Sequence, residues 1–445
     1  MIDLERFVYE SFGKDIDKPS RKDKLDFQLS SLKNILSYVN RNSTFYQKSF
    51  QRKEIKIEDV QELHDISNIP FTRPCELRSH PYELLCVSQS AVERVFTLET
   101  AGTTGRPKKV FFTHGDLDRI TGYMGAAMGS VADWGRVAKG FKVHLFLPNG
   151  RPESQAKLLS EGIEKIGARP VVADLSLKSK DQIEKMKEFK PDILFGSVSY
   201  IYRMTQESSR DDLEQINPKI IFLTSEYLPE SMRKRLEESW NCEVYYHYGM
   251  TEMGFAGGVE CSAHDGFHFN EGDFLFEIVD PDTGEKLESN EEGELVFTTL
   301  NREAMPLLRY KTGDLARSLD SDCECGISTL GKIANSIKRK DGILNVNGES
   351  IHYNMLADVV YTIPEILDFE AHLEGKNRLS LRIRAEVTAI EKRIEKELTE
   401  AIQNIAAIDK LVEDKYLHEL EFELLEKGSL RRKSRIKRSL IDNRG

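Results

Sequence analysis

Between Phe141 and Gly249 the chain alternates short apolar runs with amphipathic segments of helical length. The apolar runs are FKVHLFLP, VVADL, ILFGSV, KIIFLTS and CEVYYHYG, and the segments between them include SQAKLLSEGIEKIG and SKDQIEKMKEF. Parallel strands need long crossover connections, and a helix supplies them, so this alternation is typical of βαβ units. We therefore expect a parallel sheet that is covered by helices on both faces.

The pattern changes after Thr251. Strand-like runs now follow one another across turn-forming segments such as DPDTGE and SNEEGE. The runs are FHFNEGDFLFEIVD, GELVFTTL and LLRYKTGDLARSL. Short strands joined by turns rather than helices predict a mainly antiparallel sheet or barrel, joined to the parallel sheet.

The last part of the chain, from about Asp341, combines hairpin-like residues, an amphipathic helix (AIEKRIEKELTEAIQNIA) and a basic end. The charge-rich stretch Lys338–Gly342 is the predicted linker. We therefore expect an α/β fold with a large N-terminal body of mixed parallel sheets plus a β-rich subdomain, and a small mobile α+β C-terminal domain. The expected boundaries are residues 1–340 and 341–445, with a hinge near Asp341.

Composition excludes several classes of protein. The chain of 445 residues has no run of about 18 apolar residues that would span a bilayer. The net charge of −11 argues against general nucleic-acid binding, and six cysteines are too few for a disulfide scaffold. The start MIDLERFVYE is broken by charges, unlike a secretory signal. We expect a cytoplasmic, multidomain protein that binds neither nucleic acid nor membrane.

A loop rich in threonine and glycine follows the predicted strand AVERVFTLE. Its glycines allow a tight bend that turns backbone N–H groups toward phosphate oxygens, and its hydroxyls and lysine add further donors. The spacing is not that of a Walker loop, which needs Gly-Lys-Ser or Gly-Lys-Thr. A polar hairpin turn is the alternative interpretation. The residues concerned are Thr100, Gly102, Thr103, Thr104, Gly105 and Lys108.

The segment Thr100–Lys108 resembles the nucleotide-phosphate loop of the adenylate-forming enzymes, which include acyl- and aryl-CoA synthetases, luciferase and peptide-synthetase adenylation domains. Tyr248–Glu252 is similar to the family's Tyr-Gly-x-Thr-Glu element, and Tyr310–Asp314 to its Tyr-x-Thr-Gly-Asp element. Ser225-Glu226-Tyr227 lies where the adenine-contacting segment is expected. Within the superfamily, the run GELVFTTLNREAMPLLRYKTGDLAR and the ending GSLRRKSRIKRSLIDNR most resemble phenylacetate-CoA ligases.

This resemblance implies a reaction in two steps. A carboxylate attacks the α-phosphate of ATP and pyrophosphate leaves, which gives an acyl-adenylate. A thiol, usually that of coenzyme A, then displaces AMP. The acid is expected to be aromatic by resemblance. The protein's task in the first step is mostly positioning and charge neutralisation.

The resemblance also implies roles for individual residues. The loop residues would hold the β- and γ-phosphates of ATP, and Thr251 and Glu252 would be catalytic, Thr251 at the α-phosphate and Glu252 as the Mg²⁺ ligand. Asp314 would bind both ribose hydroxyls. The adenine would lie near Ser225, Glu226, Tyr248 and Gly249. We interpret Arg309, beside this region, as a member of a structural ion pair.

The C-terminal part departs from the family pattern. Where Gly-Arg-x-Asp-Asp is usual, this chain has Lys-Arg-Lys-Asp-Gly, which keeps Arg339 for the ribose and Asp341 as the pivot. Gly348 matches the glycine beside the thiol approach. The catalytic lysine is expected at Lys437, with Lys433 as the alternative, and a basic surface tail without a catalytic lysine as a third interpretation.

Three of the six cysteines suggest a metal site. Cys323 and Cys325 are one residue apart in a polar turn, and Cys261 precedes two histidines, His264 and His268. Together they offer the Cys₃His set of a closed, structural Zn²⁺ site. Similar sequences in phenylacetate-CoA ligases favour His268 over His264. A disulfide or unconnected thiols are the alternatives.

Three functions remain open at this stage. The first is an ATP-dependent acid–CoA ligase. The second is adenylation with transfer to a carrier protein or an amine, and the third is a nucleotide-binding regulator without activity. The acid pocket is expected from residues 141–150, 197–202 and 245–254, with Phe146, Tyr246, His247 and Gly254 as lining candidates. The sequence leaves the oligomeric state open, including a homodimer.

Overall fold

The computed structural model describes residues 2–12, 20–98, 107–149, 154–319, 323–376, 378–430 and 440–444. Its α-helices are α1 (Asp3–Glu10), α2 (Arg21–Asn42), α3 (Thr44–Lys53), α4 (Pro74–Ser79), α5 (His114–Trp134), α6 (Gln155–Lys165), α7 (Ser179–Phe189), α8 (Val198–Gln206), α9 (Arg210–Ile216), α10 (Glu230–Trp240), α11 (Tyr353–Val360), α12 (Lys392–Gln403) and α13 (Ala406–Glu413).

The strands up to the end of the parallel region are β1 (Arg94–Leu98), β2 (Lys108–Phe112), β3 (Lys142–Phe146), β4 (Arg169–Val172), β5 (Ile193–Ser197), β6 (Ile220–Thr224) and β7 (Glu243–Tyr248). Those of the following region are β8 (Gly258–Glu260), β9 (Phe267–Phe269), β10 (Phe274–Val279), β11 (Gly293–Thr299), β12 (Tyr310–Ala316), β13 (Ser318–Leu319), β14 (Lys332–Ile333) and β15 (Lys338–Arg339). The last are β16 (Ile343–Val346), β17 (Glu349–His352), β18 (Ile366–Glu374), β19 (Leu379–Val387), β20 (Leu417–Leu425) and β21 (Leu440–Asn443).

The largest sheet runs β13-β14-β9-β8-β7-β6-β5-β3-β4. Its part β4-β3-β5-β6-β7 is parallel, and its part β7-β8-β9-β14-β13 is antiparallel. All five residues of β6 are buried. A strand that is buried on both faces needs cover on both sides, which explains its continuous apolar run. The predicted parallel sheet is therefore confirmed, and its antiparallel extension is continuous with it.

Helix α5 packs against α6 where two glycines meet. A Cβ atom at Gly162 would lie 2.5 Å from the carbonyl oxygen of Thr121, and one at Gly125 would lie 2.5 Å from the carbonyl oxygen of Gly162. No side chain fits at these two positions without moving a backbone. Helix α5 starts with a capping box, in which the Thr113 hydroxyl accepts from the Asp116 N–H and the Asp116 carboxylate accepts from the Thr113 N–H.

The N-terminal helices close one side of the body. The Leu4 N–H of α1 donates to the Ser130 hydroxyl of α5 at 2.8 Å. The buried residues of α2 include Leu32, Ile35, Leu36 and Val39, which share one face because they are three or four positions apart. Helix α2 therefore packs on the body with one apolar face.

A second, four-stranded sheet runs β10-β11-β12-β15 and is antiparallel throughout. All seven residues of β11 are buried, so this strand lies inside the protein. The antiparallel region predicted after Thr251 is confirmed. The pairing between β12 and β15 places Asp314 opposite Arg339.

The chain after Asp341 forms its own small sheets. Strands β16 and β17 make a hairpin, and a further sheet runs β20-β19-β18-β21, with α11, α12 and α13 beside it. Its apolar residues join the core of helices α7–α10 in one cluster. The fold class expected from the sequence is confirmed, whereas the domain boundary near Asp341 stays a prediction. No helix in the described ranges has the length and apolar character needed to cross a bilayer.

Replacing Gly162 by alanine tests the close approach of α5 and α6. The new methyl group would overlap the Thr121 carbonyl oxygen, so we expect the free energy of unfolding to fall by about 1–3 kcal/mol. Urea denaturation of the purified chain measures this change. Ser160→Ala, on the same helix, is the control and should change stability by less than about 0.5 kcal/mol. An equally small change for Gly162→Ala would contradict the packing described here.

Candidate nucleotide and metal sites

The carboxyl ends of the parallel strands bring two predicted segments to one edge of the main sheet. In the strand register, Ser197 of β5 lies beside Thr224 of β6, which lies beside His247 of β7. Ser225, which follows β6, and Gly249, which follows β7, therefore lie at the same edge of the sheet. Ligands of open α/β sheets bind at such an edge.

Glu252 is the centre of this region. It lies in a 3-10 turn, Thr251–Met253, just after β7, and only 1% of it is exposed. The Lys108 ammonium forms an ion pair with Glu252 Oε1, and the Tyr310 hydroxyl donates to the same oxygen at 2.9 Å. Burial opposes ionisation, but the charge and hydrogen bond of Lys108 outweigh it and hold the pKa of Glu252 below its ordinary value. This carboxylate is therefore ionised at neutral pH.

Asp314 is the second fixed carboxylate. The Tyr248 hydroxyl donates to Asp314 Oδ2 at 2.6 Å, and Arg339 Nη1 donates to Oδ1 at 3.1 Å. Burial and the neighbouring Asp314 charge raise the pKa of Tyr248 well above its ordinary value, so this hydroxyl keeps its proton. Arg339 also pairs with Asp341, at 3.2 Å. The predicted ribose residues Asp314 and Arg339 therefore lie side by side.

The ring of Tyr248 packs against aromatic residues of β9. Its centroid lies 6.1 Å from that of Phe267 and 5.9 Å from that of Phe269. The hydroxyl end points to Asp314 and the ring body to these phenylalanines. The proximity of Tyr248 to the adenine stays a prediction.

The segment that follows β6 caps the N-terminus of helix α8. Ser225 has a positive φ of 77°, and the Glu226 carboxylate accepts from the Ser199 N–H at 2.8 Å and from the Ser199 hydroxyl at 3.0 Å. Glu226 therefore satisfies a free N–H group at the start of α8. This use of Glu226 was missed from the sequence, because its partner lies 27 residues earlier. The Tyr227 hydroxyl donates to Asp358 of α11 at 2.8 Å.

Several predicted residues lie outside the described ranges or away from this edge. The loop residues Thr100, Gly102, Thr103, Thr104 and Gly105, and the lysines Lys433 and Lys437, belong to the ranges that the structure does not describe. Gly348 forms the turn between β16 and β17 with φ of 86°, and a Cβ there would meet no described atom within 4 Å.

The expected acid-pocket residues differ in their surroundings. Phe146 is only 2% exposed and packs between His144 and Tyr200, so it offers almost no surface to a ligand. His247 Nδ1 lies 3.2 Å from the Thr224 hydroxyl. Burial lowers the pKa of His247 to about 4, although a hydrogen bond to the Phe255 backbone acts to raise this pKa. The ring is therefore neutral at pH 7.

The remaining two candidates also have close neighbours. The Tyr246 hydroxyl donates to the Glu226 carbonyl, and a Cβ at Gly254, where φ is 67°, would collide with Ile120. Arg309 forms a buried ion pair with Glu277, 2.9 Å from Nη2 to Oε1, as the sequence predicted.

A separate cluster holds the three cysteines and one histidine. The thiols of Cys261 and Cys323 are 3.4 Å apart, and Cys325 Sγ lies 3.3 Å from His268 Nε2. All four ligand atoms lie within 4.8 Å of one another. Tetrahedral Zn²⁺ with bonds of about 2.0–2.3 Å would set such atoms about 3.5–3.8 Å apart, so the donor set fits this ion.

The structure separates the two candidate histidines. His264, with a positive φ of 53°, places its Nδ1 3.4 Å from Glu260 Oε2 and 3.3 Å from Arg233 Nη1. His268 instead lies on β9, beside the thiols. A hydrogen bond from Cys325 lowers the pKa of the Cys261 thiol. The three thiols are therefore neither unconnected nor joined in a disulfide.

The loop that carries two of these cysteines is bound to the start of the chain. The Ser328 N–H and the Thr329 hydroxyl donate to Glu5 of α1, at 3.1 Å and 2.8 Å. Trp134, the last residue of α5, donates from Nε1 to the Cys325 carbonyl at 3.1 Å. The cluster therefore lies where α1, α5 and the β9–β14 pair meet.

Known proteins resemble this chain in sequence. Residues 95–301 match the family model of the AMP-binding enzymes. A phenylacetate-coenzyme A ligase of Aromatoleum evansii is 30% identical over 360 residues, which cover 79% of this chain and 78% of the relative. The phenylacetate-coenzyme A ligase of Thermus thermophilus is also 30% identical, over 76% of each chain.

Solved structures agree with this likeness. A crystal structure of 2-hydroxyisobutyryl-CoA ligase in the postadenylation state, in complex with 2-HIB-AMP, has a TM-score of 0.79 at 20% identity and covers 97% of this chain and 94% of that chain. An open conformation of the same ligase with 2-HIB-AMP and CoA has a TM-score of 0.65, with 96% of each chain covered. At such identities the likeness shows the fold. Together with the sequence relatives, it leads to one conclusion: this chain belongs to the phenylacetate-coenzyme A ligase family of AMP-binding enzymes.

Proposed function

We propose that the protein is an AMP-forming acid–CoA ligase that activates an aromatic carboxylic acid and transfers the acyl group to coenzyme A. One observation carries the proposal: three motifs that are distant in the chain meet at the Glu252 carboxylate. Lys108 of the threonine–glycine loop lies 144 residues from Glu252, and Tyr310 of the third motif lies 58 residues from it. The family relatives, named as phenylacetate-coenzyme A ligases, support the aromatic acid.

The first step joins the acid to AMP. A carboxylate oxygen of the acid attacks the α-phosphorus of ATP, the bond from this phosphorus to the β-bridging oxygen breaks, and pyrophosphate leaves. Lys108 pairs with Glu252, and its positive charge would also act on the phosphates of ATP. Thr251, which is 93% buried beside Glu252, would donate to the α-phosphate.

Mg²⁺ suits the residues at this edge. The ion prefers carboxylate and phosphate oxygens, and Glu252 is an ionised, buried carboxylate held in place by two donors. Glu252 would bind the ion together with phosphate oxygens. The ion supplies charge neutralisation for the departing pyrophosphate.

The nucleoside would be held by Asp314. This carboxylate accepts hydrogen bonds from Tyr248 and Arg339, and a carboxylate has about four acceptor sites, so the ribose hydroxyls can bond to those that remain. Ser225, Glu226 and Gly249, at the carboxyl edge of the sheet, would lie about the adenine.

The second step transfers the acyl group. The thiol sulfur of coenzyme A attacks the acyl carbonyl carbon of the adenylate, the bond from this carbon to the AMP oxygen breaks, and the thiol proton goes to solvent. Gly348 would line the path by which the thiol approaches. In the first step, either Lys437 or Lys433 would supply positive charge to the carboxylate and the α-phosphate. The cytoplasmic location and the oligomeric state stay predictions.

The decisive experiment measures acid-dependent exchange of pyrophosphate into ATP over a panel of acids, followed by thioester formation with coenzyme A. We expect exchange with phenylacetate or another aromatic acid, and a CoA thioester as the product. Exchange without a CoA thioester would instead favour a carrier protein or amine as acceptor. Absence of exchange with every acid would overturn the proposal and leave a nucleotide-binding regulator.

Glu252→Gln tests the metal carboxylate. The amide keeps the shape of the side chain but removes the charge, so we expect exchange to fall by about 100-fold or more, as for other losses of transition-state charge stabilisation. Glu214→Gln is the matched control, since Glu214 is exposed and pairs only with Arg210 in the described contacts. An unchanged exchange rate in Glu252→Gln would remove Glu252 from the reaction.

Tyr310→Phe tests whether the hydroxyl at Glu252 positions the metal ligand. Loss of a hydrogen bond to a charged group costs about 1.5–3 kcal/mol. We therefore expect half-maximal exchange to need about tenfold more free Mg²⁺, with a smaller change in the KM for the acid. A Mg²⁺ titration at fixed ATP measures this effect. A loss of activity that excess Mg²⁺ does not reverse would contradict the positioning role.

We also infer that Cys261, His268, Cys323 and Cys325 hold a structural Zn²⁺. Four protein ligands leave no open position for substrate, so the ion stabilises the fold and takes no part in the reaction. The support is the donor set of three thiols and one imidazole, whose four ligand atoms lie within 4.8 Å of one another.

Metal analysis checks the zinc site. Protein prepared without chelators should contain about one zinc ion per chain, and Cys325→Ser should lose the ion and unfold at a lower temperature. Cys75→Ser is the control, because Cys75 is exposed and away from the cluster. A wild-type preparation with no zinc, and with the same unfolding temperature as Cys325→Ser, would exclude the site.

A further inference from the structure

Helix α8 is the surface on which the C-terminal part of the chain rests. We call residues 341–444 the C-terminal unit and residues 2–340 the body. The ring of Tyr202 on α8 meets the ring of Tyr361 edge to face, at 5.7 Å between centroids, and both residues are fully buried. This apolar contact holds the two parts together, but apolar contacts are not directional. The orientation of the C-terminal unit on the body must therefore be fixed by polar contacts.

One polar contact joins α8 to strand β19. Arg203 Nη1 lies 2.6 Å from Glu386 Oε1, and the Glu386 side chain has no exposed surface. The same carboxylate accepts from the backbone N–H groups of Gly428 at 2.6 Å and Leu430 at 3.2 Å. Glu386 therefore keeps two donors of its own unit when Arg203 leaves. The Arg203–Glu386 pair can open without leaving the buried carboxylate with no hydrogen-bond donor.

A second polar contact starts from the predicted adenine segment. The Tyr227 hydroxyl donates to both oxygens of Asp358 on α11, at 2.8 Å and 3.1 Å. Two residues earlier the backbone of Ser225 has left the sheet, and Glu226 caps α8 through Ser199. These two contacts are therefore both connected to this one segment, directly through Tyr227 and along α8 through Arg203. Other polar contacts also join the body and the unit, such as Glu207–Lys427 and Arg235–Thr362.

The β16–β17 hairpin of the C-terminal unit has an open turn, although its last residue, His352, lies near Lys338 and Glu292 of the body. Its turn residue Gly348 is expected beside the thiol in the second step, yet a Cβ there would meet no described atom within 4 Å. Arg339 and Asp341, at the predicted hinge, instead remain next to Asp314. These contacts favour the first step over the second.

We propose that the pairs Arg203–Glu386 and Tyr227–Asp358 form a latch, which holds the C-terminal unit in the arrangement for adenylation and opens before thiol transfer. This inference rests on the proposed function, because it concerns the balance between its two steps. The residues of the latch act through the orientation of the unit and are positioning residues. Tyr227 belongs to the adenine segment, and the same segment caps α8, which carries Arg203. Release of the nucleotide and rotation of the C-terminal unit are therefore coupled.

The test separates the two steps in the full-length protein. Pyrophosphate exchange at saturating ATP and acid reports adenylation, and conversion of a synthetic acyl-adenylate with coenzyme A reports thiol transfer. We expect Arg203→Gln and Tyr227→Phe each to lower exchange about fivefold while the conversion of the adenylate stays the same or rises. The ratio of the two rates is the readout, since a general loss of folded protein lowers both rates equally.

Three further variants sharpen the test. Asp358→Ala removes the acceptor of the Tyr227 hydrogen bond and should reproduce Tyr227→Phe without a change in the adenine segment. Arg203→Lys should restore part of the exchange. Arg210→Gln removes an exposed pair of the neighbouring helix α9 and should leave the ratio unchanged.

Equal losses in both steps, or an unchanged ratio in Arg203→Gln and Asp358→Ala, would overturn the latch. A wild-type protein that carries out neither step would overturn the proposed function instead. The two failures are thus distinct, because the first appears only in the variants and the second already in the unmodified chain.

Discussion

The protein depends on one charged group that is shut off from water. The Glu252 carboxylate is 1% exposed, and Lys108 and Tyr310 reach the same oxygen from two other parts of the chain. A buried charge is tolerated only when it is paired and hydrogen-bonded, and loss of its partner costs about 3–5 kcal/mol. The strand that carries Lys108, the turn after β7 and the start of β12 are therefore held in one place by the same interaction.

The backbone on both sides of Glu252 fixes the position of its carboxylate. Strand β7 ends at the carboxyl edge of the parallel sheet, and the turn Thr251–Met253 closes at Gly254, where a side chain would collide with Ile120 of α5. A few residues on, β8 turns back as an antiparallel neighbour of β7. The change from parallel to antiparallel pairing thus occurs at the site itself.

Much of the fold and part of the site could be predicted from the sequence, because they depend on local pattern. The alternation from Phe141 to Gly249 predicted the parallel strands, and the motifs around Glu252 and Asp314 predicted two carboxylates that the structure fixes in place. Other features depend on how distant surfaces meet. Tyr227 and Asp358 are 131 residues apart, so no local pattern indicates their bond. Of the two histidines, four residues apart, His268 lies beside the thiols and His264 beside Glu260 and Arg233, a placement that spacing alone does not reveal.

The contacts of Glu5 with Ser328 and Thr329 have a consequence for the order in which the protein assembles. The partners are separated by more than 320 residues, so these two hydrogen bonds cannot form until Thr329 has been synthesised. Contacts between such distant residues form late and slowly, because a long loop must close first. Helix α1 can pack on α5 before that point, through the contact of Leu4 with Ser130, and its attachment to the cysteine-bearing loop is completed last.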